Sequence, residues 1–240
     1  MFYWHYNRDL YYKLPILETA VALALFDLDN TLLNGDSDHA WGMFLADIGV
    51  LDPAQQKAKQ DHFYAQYTQG TLDIYEFCEY QFNELTKHSI DQLYKWHQLF
   101  MSISIEPMIT SGKASLLDKH QSAGDDIVII TATNDFVTRP IAERLGVNHL
   151  LATTAEFKNG SYTGKVSGTP CFQEGKITKL TAWLAERGQE LNSDTLADSV
   201  FYSDSINDLP LLELVDTPIA VTPDKRLREH AQQRQWQIID

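Results

Sequence analysis

Residues 24–33 read ALFDLDNTLL, an apolar run that ends in two aspartates spaced two apart, Asp27 and Asp29, with Asn30 and Thr31 behind them. Carboxylates this close repel each other, so the spacing asks for a counter-charge. Two other apolar runs end in polar groups in the same way. DIVIIT at 126–131 leads into Thr131 and Thr133, and SVFYSD at 199–204 leads into Asp204, Asn207 and Asp208. A hard divalent cation lets such carboxylates share one crevice. Mg²⁺ fits, because it takes only one or two carboxylates besides water and a substrate phosphate. The motifs hold no His or Cys, which disfavours zinc.

Just past a strand, residues i and i+2 can face the same side of a crevice. Asp27 is then the candidate nucleophile, and Asp29 the candidate group that passes a proton to the leaving atom. A carboxylate is a weak nucleophile and needs a polarised electrophile. Phosphorus polarised by Mg²⁺ suits it, and the product is an aspartyl phosphate. The transferring phosphoryl group also needs donors on its oxygens. Thr131 and Lys176 are the candidates, with Lys176 following Gly175 at an expected helix start; Thr133 and Asn207, from the same strand ends, complete the substrate-contacting set. Singly, each residue has an ordinary structural role, since turns and caps use Asp and Thr freely. The order D-x-D-x-T, an apolar run into Thr, a Lys, then an apolar run into D-x-x-x-D is what singles them out.

These residues are distant in sequence, and a particular architecture must bring them together. VALALF at 21–26 and PIAVT at 218–222 join the two runs above as expected buried strands. Helical patterns lie between, including RPIAERLG at 139–146 and GKITKLTAWLAERG at 175–188. The alternation predicts an α/β fold: a Rossmann-like three-layer core around a parallel sheet, with ligands bound beyond the carboxyl ends of the strands. Asn159-Gly160 within residues 156–166 predicts a β-hairpin on that core. Residues 37–108 show amphipathic helical patterns and no convincing strand, so a small helical cap is expected there, inserted after the first strand; the core then comprises 20–36 and 109–240. The cap aromatics Phe63, Tyr64, Tyr67, Tyr75, Phe77, Tyr80 and Phe82 are expected mostly to pack helix on helix, with a few lining a pocket. Residues 1–19, aromatic and polar, lack the pattern of a signal peptide and are expected to be an N-terminal extension.

The formal net charge of −14 argues against nucleic acid or an anionic membrane as the main partner. No run of 18 apolar residues exists, so no transmembrane helix is expected. Cys78 and Cys171 have no metal-ligand spacing and are expected to be buried free thiols, in keeping with the reducing cytoplasm.

With these motifs in view, the chain resembles the haloacid dehalogenase superfamily of phosphohydrolases, in its phosphoserine-phosphatase-like branch. DLDNT (27–31), IITAT (129–133), Lys176 in CFQEGKITKL and YSDSIND (202–208) carry the resemblance over residues 21–225. It implies an Mg²⁺-dependent phosphomonoesterase acting on a small phosphorylated metabolite. It also implies Mg²⁺ held by Asp27, Asp204 and the Asp29 backbone carbonyl, Asp208 supporting the metal site, and Thr131 and Lys176 on the phosphoryl group. In phosphoserine phosphatases an acid nine positions after the nucleophile meets the substrate ammonium; here that position is Asp36, in NGDSD, which also reads as a loop with helix-capping aspartates. Two departures bear on the substrate. No arginine occurs between Arg8 and Arg139 to bind a substrate carboxylate, and Ala132-Thr133 follows Thr131 where those phosphatases carry two glycines. An acidic, aromatic cap without arginine suits a cationic, aromatic phosphomonoester such as histidinol phosphate, with phosphoserine the alternative. A phosphotransferase or mutase, a receiver-type signalling domain and a non-catalytic binding protein are further readings. The length, the helical insertion and the second aspartate weigh against the receiver.

Overall fold

The computed structural model describes residues 22–240, so the expected N-terminal extension lies outside the described residues. Strand β1 (Leu23–Phe26) is followed by four helices: α1 (Ser37–Asp47), α2 (Pro53–Gln69), α3 (Ile74–Leu85) and α4 (Ile90–Phe100). Helix α5 (Ser111–Ala123) then returns the chain to β2 (Asp126–Asn134), α6 (Asp135–Arg144), β3 (His149–Lys158), β4 (Ser161–Ser167) and α7 (Glu174–Glu186). The chain closes with β5 (Val200–Ser203), the single turn α8 (Leu209–Leu212), β6 (Thr217–Val221), α9 (Lys225–Arg234) and β7 (Gln237–Ile239).

The strands form one seven-stranded sheet in the order β4-β3-β2-β1-β5-β6-β7, with β4 antiparallel to β3 and the other pairings parallel. Successive side chains of a strand point to opposite faces, and both faces are covered. Ala24 and Phe26 of β1 and Ile129 of β2 pack into one core; Leu23, Leu25, Val128 and Ile130 pack into the other, with Leu180 and Leu184 of α7. The first core continues into the helices after β1, through Trp41, Phe44, Phe82 and Phe100. The fold is the expected three-layer Rossmann-like α/β arrangement.

Helix ends follow local rules. Asp52 caps α2 by accepting from Gln55 N, Pro53 occupies its first turn, and Gly70 ends it at φ 73°. Two expected elements extend further along the chain than their sequence patterns. Helix α6 begins at Asp135, not near Arg139, because Asn134 caps it by accepting from Val137 N at 3.1 Å; Pro140 is carried inside the helix at the loss of one backbone bond. The hairpin arm is also only half of a longer strand. β3 pairs in parallel with β2 through His149–Leu151, then antiparallel with β4 from Thr154 onward. The hairpin turn itself is the expected Asn159-Gly160, with φ 52° and 84°.

Candidate active site

The parallel strands β1, β2 and β5 end side by side, and their terminal polar residues meet in one pocket. It is lined by Asp27, Asp29, Thr131, Thr133, Lys176, Asp204, Asn207 and Asp208 from the core, and by Asp36 in the loop after β1. Asp27 leaves β1 with its backbone N donating to Tyr202 O at 2.9 Å, which ties it to β5. Lys176 reaches it from the first turn of α7. Gly175 makes that approach possible, since a Cβ there would lie 1.9 Å from Pro170 O. Lys176 Nζ donates to Asp27 Oδ1 at 2.8 Å and to Asp208 Oδ2 at 2.6 Å, and Ser203 Oγ donates to the same Asp208 oxygen at 2.7 Å. Asp208 thus braces the lysine from behind. Gln173 Nε2 holds Asn207 Oδ1 at 3.3 Å.

Asp29 turns away from this cluster. Its Oδ1 accepts from Ser37 N at 2.6 Å and its Oδ2 from Thr133 Oγ1 at 2.7 Å. Thr133 therefore orients Asp29, while the buried Thr131 hydroxyl accepts from Thr133 N at 3.2 Å at the pocket floor. Thr31, a third polar residue after β1, is buried with no partner for its hydroxyl and does not line the pocket.

Burial dominates the electrostatics. It raises Asp27 to about 7 against the pull of Lys176, with Asp208 adding to the rise. Burial and the Asp36 charge raise Asp29 to about 6, against its hydrogen bonds from Ser37 and Thr133. Asp204, partly buried, is held well above the carboxylate range by desolvation and by Asp27 and Asp208. Burial works against the Lys176 charge, but Asp208 and Asp27 more than offset it and hold the ammonium above the ordinary lysine range.

The facing wall comes from α1, α2 and α3. Asp36 caps α1, accepting from Asp38 N and His39 N at 2.9 Å each. Asp38 caps nothing; it is buried, faces the pocket and accepts from Asn134 Nδ2 at 3.3 Å. Of the cap aromatics, Phe63, Tyr64, Tyr67, Phe77 and Tyr80 line the pocket, more than helix packing alone called for, and Phe82 packs in the core. Tyr67 also joins the walls: its hydroxyl lies 2.6 Å from Ser205 Oγ, beside Asp204. Sequence reasoning passed over Gln60, Gln81, Phe172 and Lys113. The first three line the pocket. Lys113 Nζ donates to the carbonyls of Asn30 and of Leu33, the latter at 2.9 Å, and fixes the loop after β1. None of the four carries a motif; only the folded chain brings them in.

A family model of the haloacid dehalogenase-like hydrolases matches residues 24–213. The chain belongs to the haloacid dehalogenase-like hydrolase family. It is 43% identical over 219 residues to a histidinol-phosphatase of Neisseria meningitidis, covering 91% of this chain and 98% of the relative. It is 32% identical over 222 residues to a phosphoserine phosphatase of Mycobacterium tuberculosis, covering 91% of this chain and 70% of that one. A crystal structure of a Bordetella pertussis protein of unknown function superposes with a TM-score of 0.86 at 46% identity, over 92% of this chain and 99% of the other. A substrate-bound phosphoserine phosphatase shares the fold at a TM-score of 0.66 and 21% identity, over 92% and 94%. Within the family the chain is a phosphoric monoester hydrolase. No helix of the described residues is long and apolar enough to cross a membrane.

Proposed function

We propose that the enzyme hydrolyses histidinol phosphate, with Mg²⁺ as cofactor and Asp27 as nucleophile. The pocket lining supports this choice: among the described residues Lys176 is its only lysine or arginine, whereas Asp36, Asp38 and a set of aromatic rings face the same space. Lys176 is engaged by two aspartates, so no cation is left for the carboxylate of phosphoserine. An amino alcohol phosphate bearing an imidazole matches the acids and rings, and the Neisseria relative bears that activity in its name.

The donor set fits Mg²⁺. Asp27 and Asp204 line one pocket and offer oxygen ligands, which suits an ion that keeps water and takes substrate oxygens. Asp27, Asp204 and the Asp29 carbonyl would hold it; the strain of Asp204 against Asp27 is the repulsion a cation would relieve. When bound, the ion polarises the phosphoryl oxygens and neutralises their charge. Asp27 attacks phosphorus, and the bond to the alcohol oxygen breaks as Asp29 gives that oxygen its proton. Asp29 then takes a proton from the water that attacks the aspartyl phosphate, releasing inorganic phosphate and free Asp27. A pKa near 6 leaves Asp29 able to serve as acid and then as base around neutrality. Thr131 and Lys176 bind the phosphoryl oxygens, Asn207 lies within the same contact set, Thr133 holds Asp29 in place, and Asp36 faces the substrate ammonium. Helices α1–α4 act as the cap that excludes water. The two buried free thiols fit a cytoplasmic setting.

The test is phosphate release from histidinol phosphate and from phosphoserine with added Mg²⁺ and with chelator. A clear preference for histidinol phosphate, lost on chelation, is expected; a preference for phosphoserine overturns the substrate assignment.

A further inference from the structure

Asp38 is a buried carboxyl with no ion-pair partner among the described residues, in a pocket where Lys176 pairs with Asp27 and Asp208 on the core side. Its side chain is 6% exposed and accepts one hydrogen bond, from Asn134 Nδ2 at 3.3 Å. Burial, with Asp36 and Asp29 nearby, pushes it up to about 8, against the pull of the Gln81 side chain. A carboxyl so placed gains strongly from a donor delivered by a ligand. A second, independent observation points the same way. Gln60, on the opposite helix, lines the same pocket; its Nε2 donates to His39 O at 3.0 Å, and its buried Oε1 has no partner. The helical wall therefore offers buried acceptors, Asp38 and Gln60 Oε1, that no cation of the wall engages. The rings of Phe63, Phe77 and Tyr80 lie along the same wall, in edge and tilted contacts 5.2 and 5.4 Å apart. Flat apolar faces beside buried acceptors form a slot for an aromatic ring with N–H groups at its edge.

The geometry points to Asp38, with Gln60, as the specificity-determining subsite that receives the imidazole of the substrate, apart from Asp36, which takes the ammonium. The assignment rests on the substrate proposed above and adds which residues read its ring. Protonated as the imidazolium, the ring presents two N–H donors, one for the Asp38 carboxylate and one for the Gln60 carbonyl.

Two variants and four phosphorylated compounds test this. For Asp38→Asn, the ratio of kcat/KM for histidinol phosphate to that for p-nitrophenyl phosphate should fall roughly 10²-fold, the scale of losing one member of a buried charged pair. Gln60→Leu, of similar volume, should lower the same ratio about tenfold, the scale of one neutral hydrogen bond. O-phosphoethanolamine, which carries the ammonium and no ring, should compete with p-nitrophenyl phosphate equally well in parent and Asp38→Asn enzymes. Equal losses on both substrates, or a matching loss of phosphoethanolamine affinity, overturn the ring subsite while leaving the proposed activity intact. A parent enzyme that prefers phosphoserine overturns both.

Discussion

The wall built from strand ends and the wall built from helices α1–α3 use their polar atoms differently. On the first, Lys176 binds two aspartates, Asp208 is held from two sides, and Asp29 has a donor on each oxygen. On the second, Gln60 Oε1 has no partner and Asp38 no cation. Groups that perform chemistry must be preorganised, because reorienting them in the transition state raises the barrier. Groups that select a substrate can remain unsatisfied until it arrives, and a ligand that fails to satisfy them is rejected by the same desolvation penalty. On the proposed function, the difference matches reaction at the sheet and selection at the insertion.

Changes to the strand-end wall should be the most damaging whatever the substrate. Asp27→Asn should reduce phosphate release by about 10⁴-fold or more on histidinol phosphate and p-nitrophenyl phosphate alike, since no other group replaces a nucleophile; residual activity near the parent level would end the assignment. Asp29→Asn should slow both substrates by roughly 10²–10⁴-fold, the usual scale of general acid–base help. A smaller loss with p-nitrophenyl phosphate, whose leaving group needs less protonation, would confirm the direction of proton transfer. Lys176→Met leaves Asp27 and Asp208 buried without their cation, and thermal or urea unfolding should show a loss of about 3–5 kcal/mol. A variant as stable as the parent would show that the Lys176 ion pairs contribute nothing to the fold.

Changes to the helical wall should be milder and depend on substrate and pH. Tyr67→Phe removes the 2.6 Å contact that joins α2 to Ser205, and KM should rise several-fold, in line with about 1 kcal/mol for one hydrogen bond. Asp38 should show itself in stability. Its folded-state pKa is raised from 3.8 to about 8, so its contribution is fully present below the lower value and is lost as pH rises through the higher one. Asp38→Asn lacks that loss. The melting temperature of the variant relative to the parent should therefore be higher near pH ~8.5 than near pH ~5. A difference that stays constant across that range would show Asp38 to be ionised in the folded protein throughout.

Sequence and structure agree best where a residue's role is set by its neighbours along the chain. The runs before Asp27, Thr131 and Asp204 are buried strands, as their apolar content demands. Asn159-Gly160 is a tight turn because both residues accept positive φ. Agreement weakens where a residue answers to two partners. β3 was visible only as a hairpin arm, because its first half pairs with β2 in parallel and only its second half with β4. Helix α6 starts before the RPIAERLG pattern because Asn134, five residues ahead of Arg139, supplies its cap. Asp38 read as a cap beside Asp36, although only one of the two can accept the free N–H groups at the start of α1.

The amino-acid order determined which candidate residues meet in the pocket, since in a parallel sheet each strand delivers its last residues to the same edge and the motifs need only end their strands. It could not say where the insertion folds back over that edge. Which of its rings and acceptors face Asp27 depends on how α2 and α3 pack against α1, through Phe63 on Tyr80 and Gln56 against Gly42, where a Cβ would lie 2.1 Å from Gln56 Nε2. Such contacts join residues many turns apart. No local pattern encodes them, so the selecting wall took shape only in the tertiary structure.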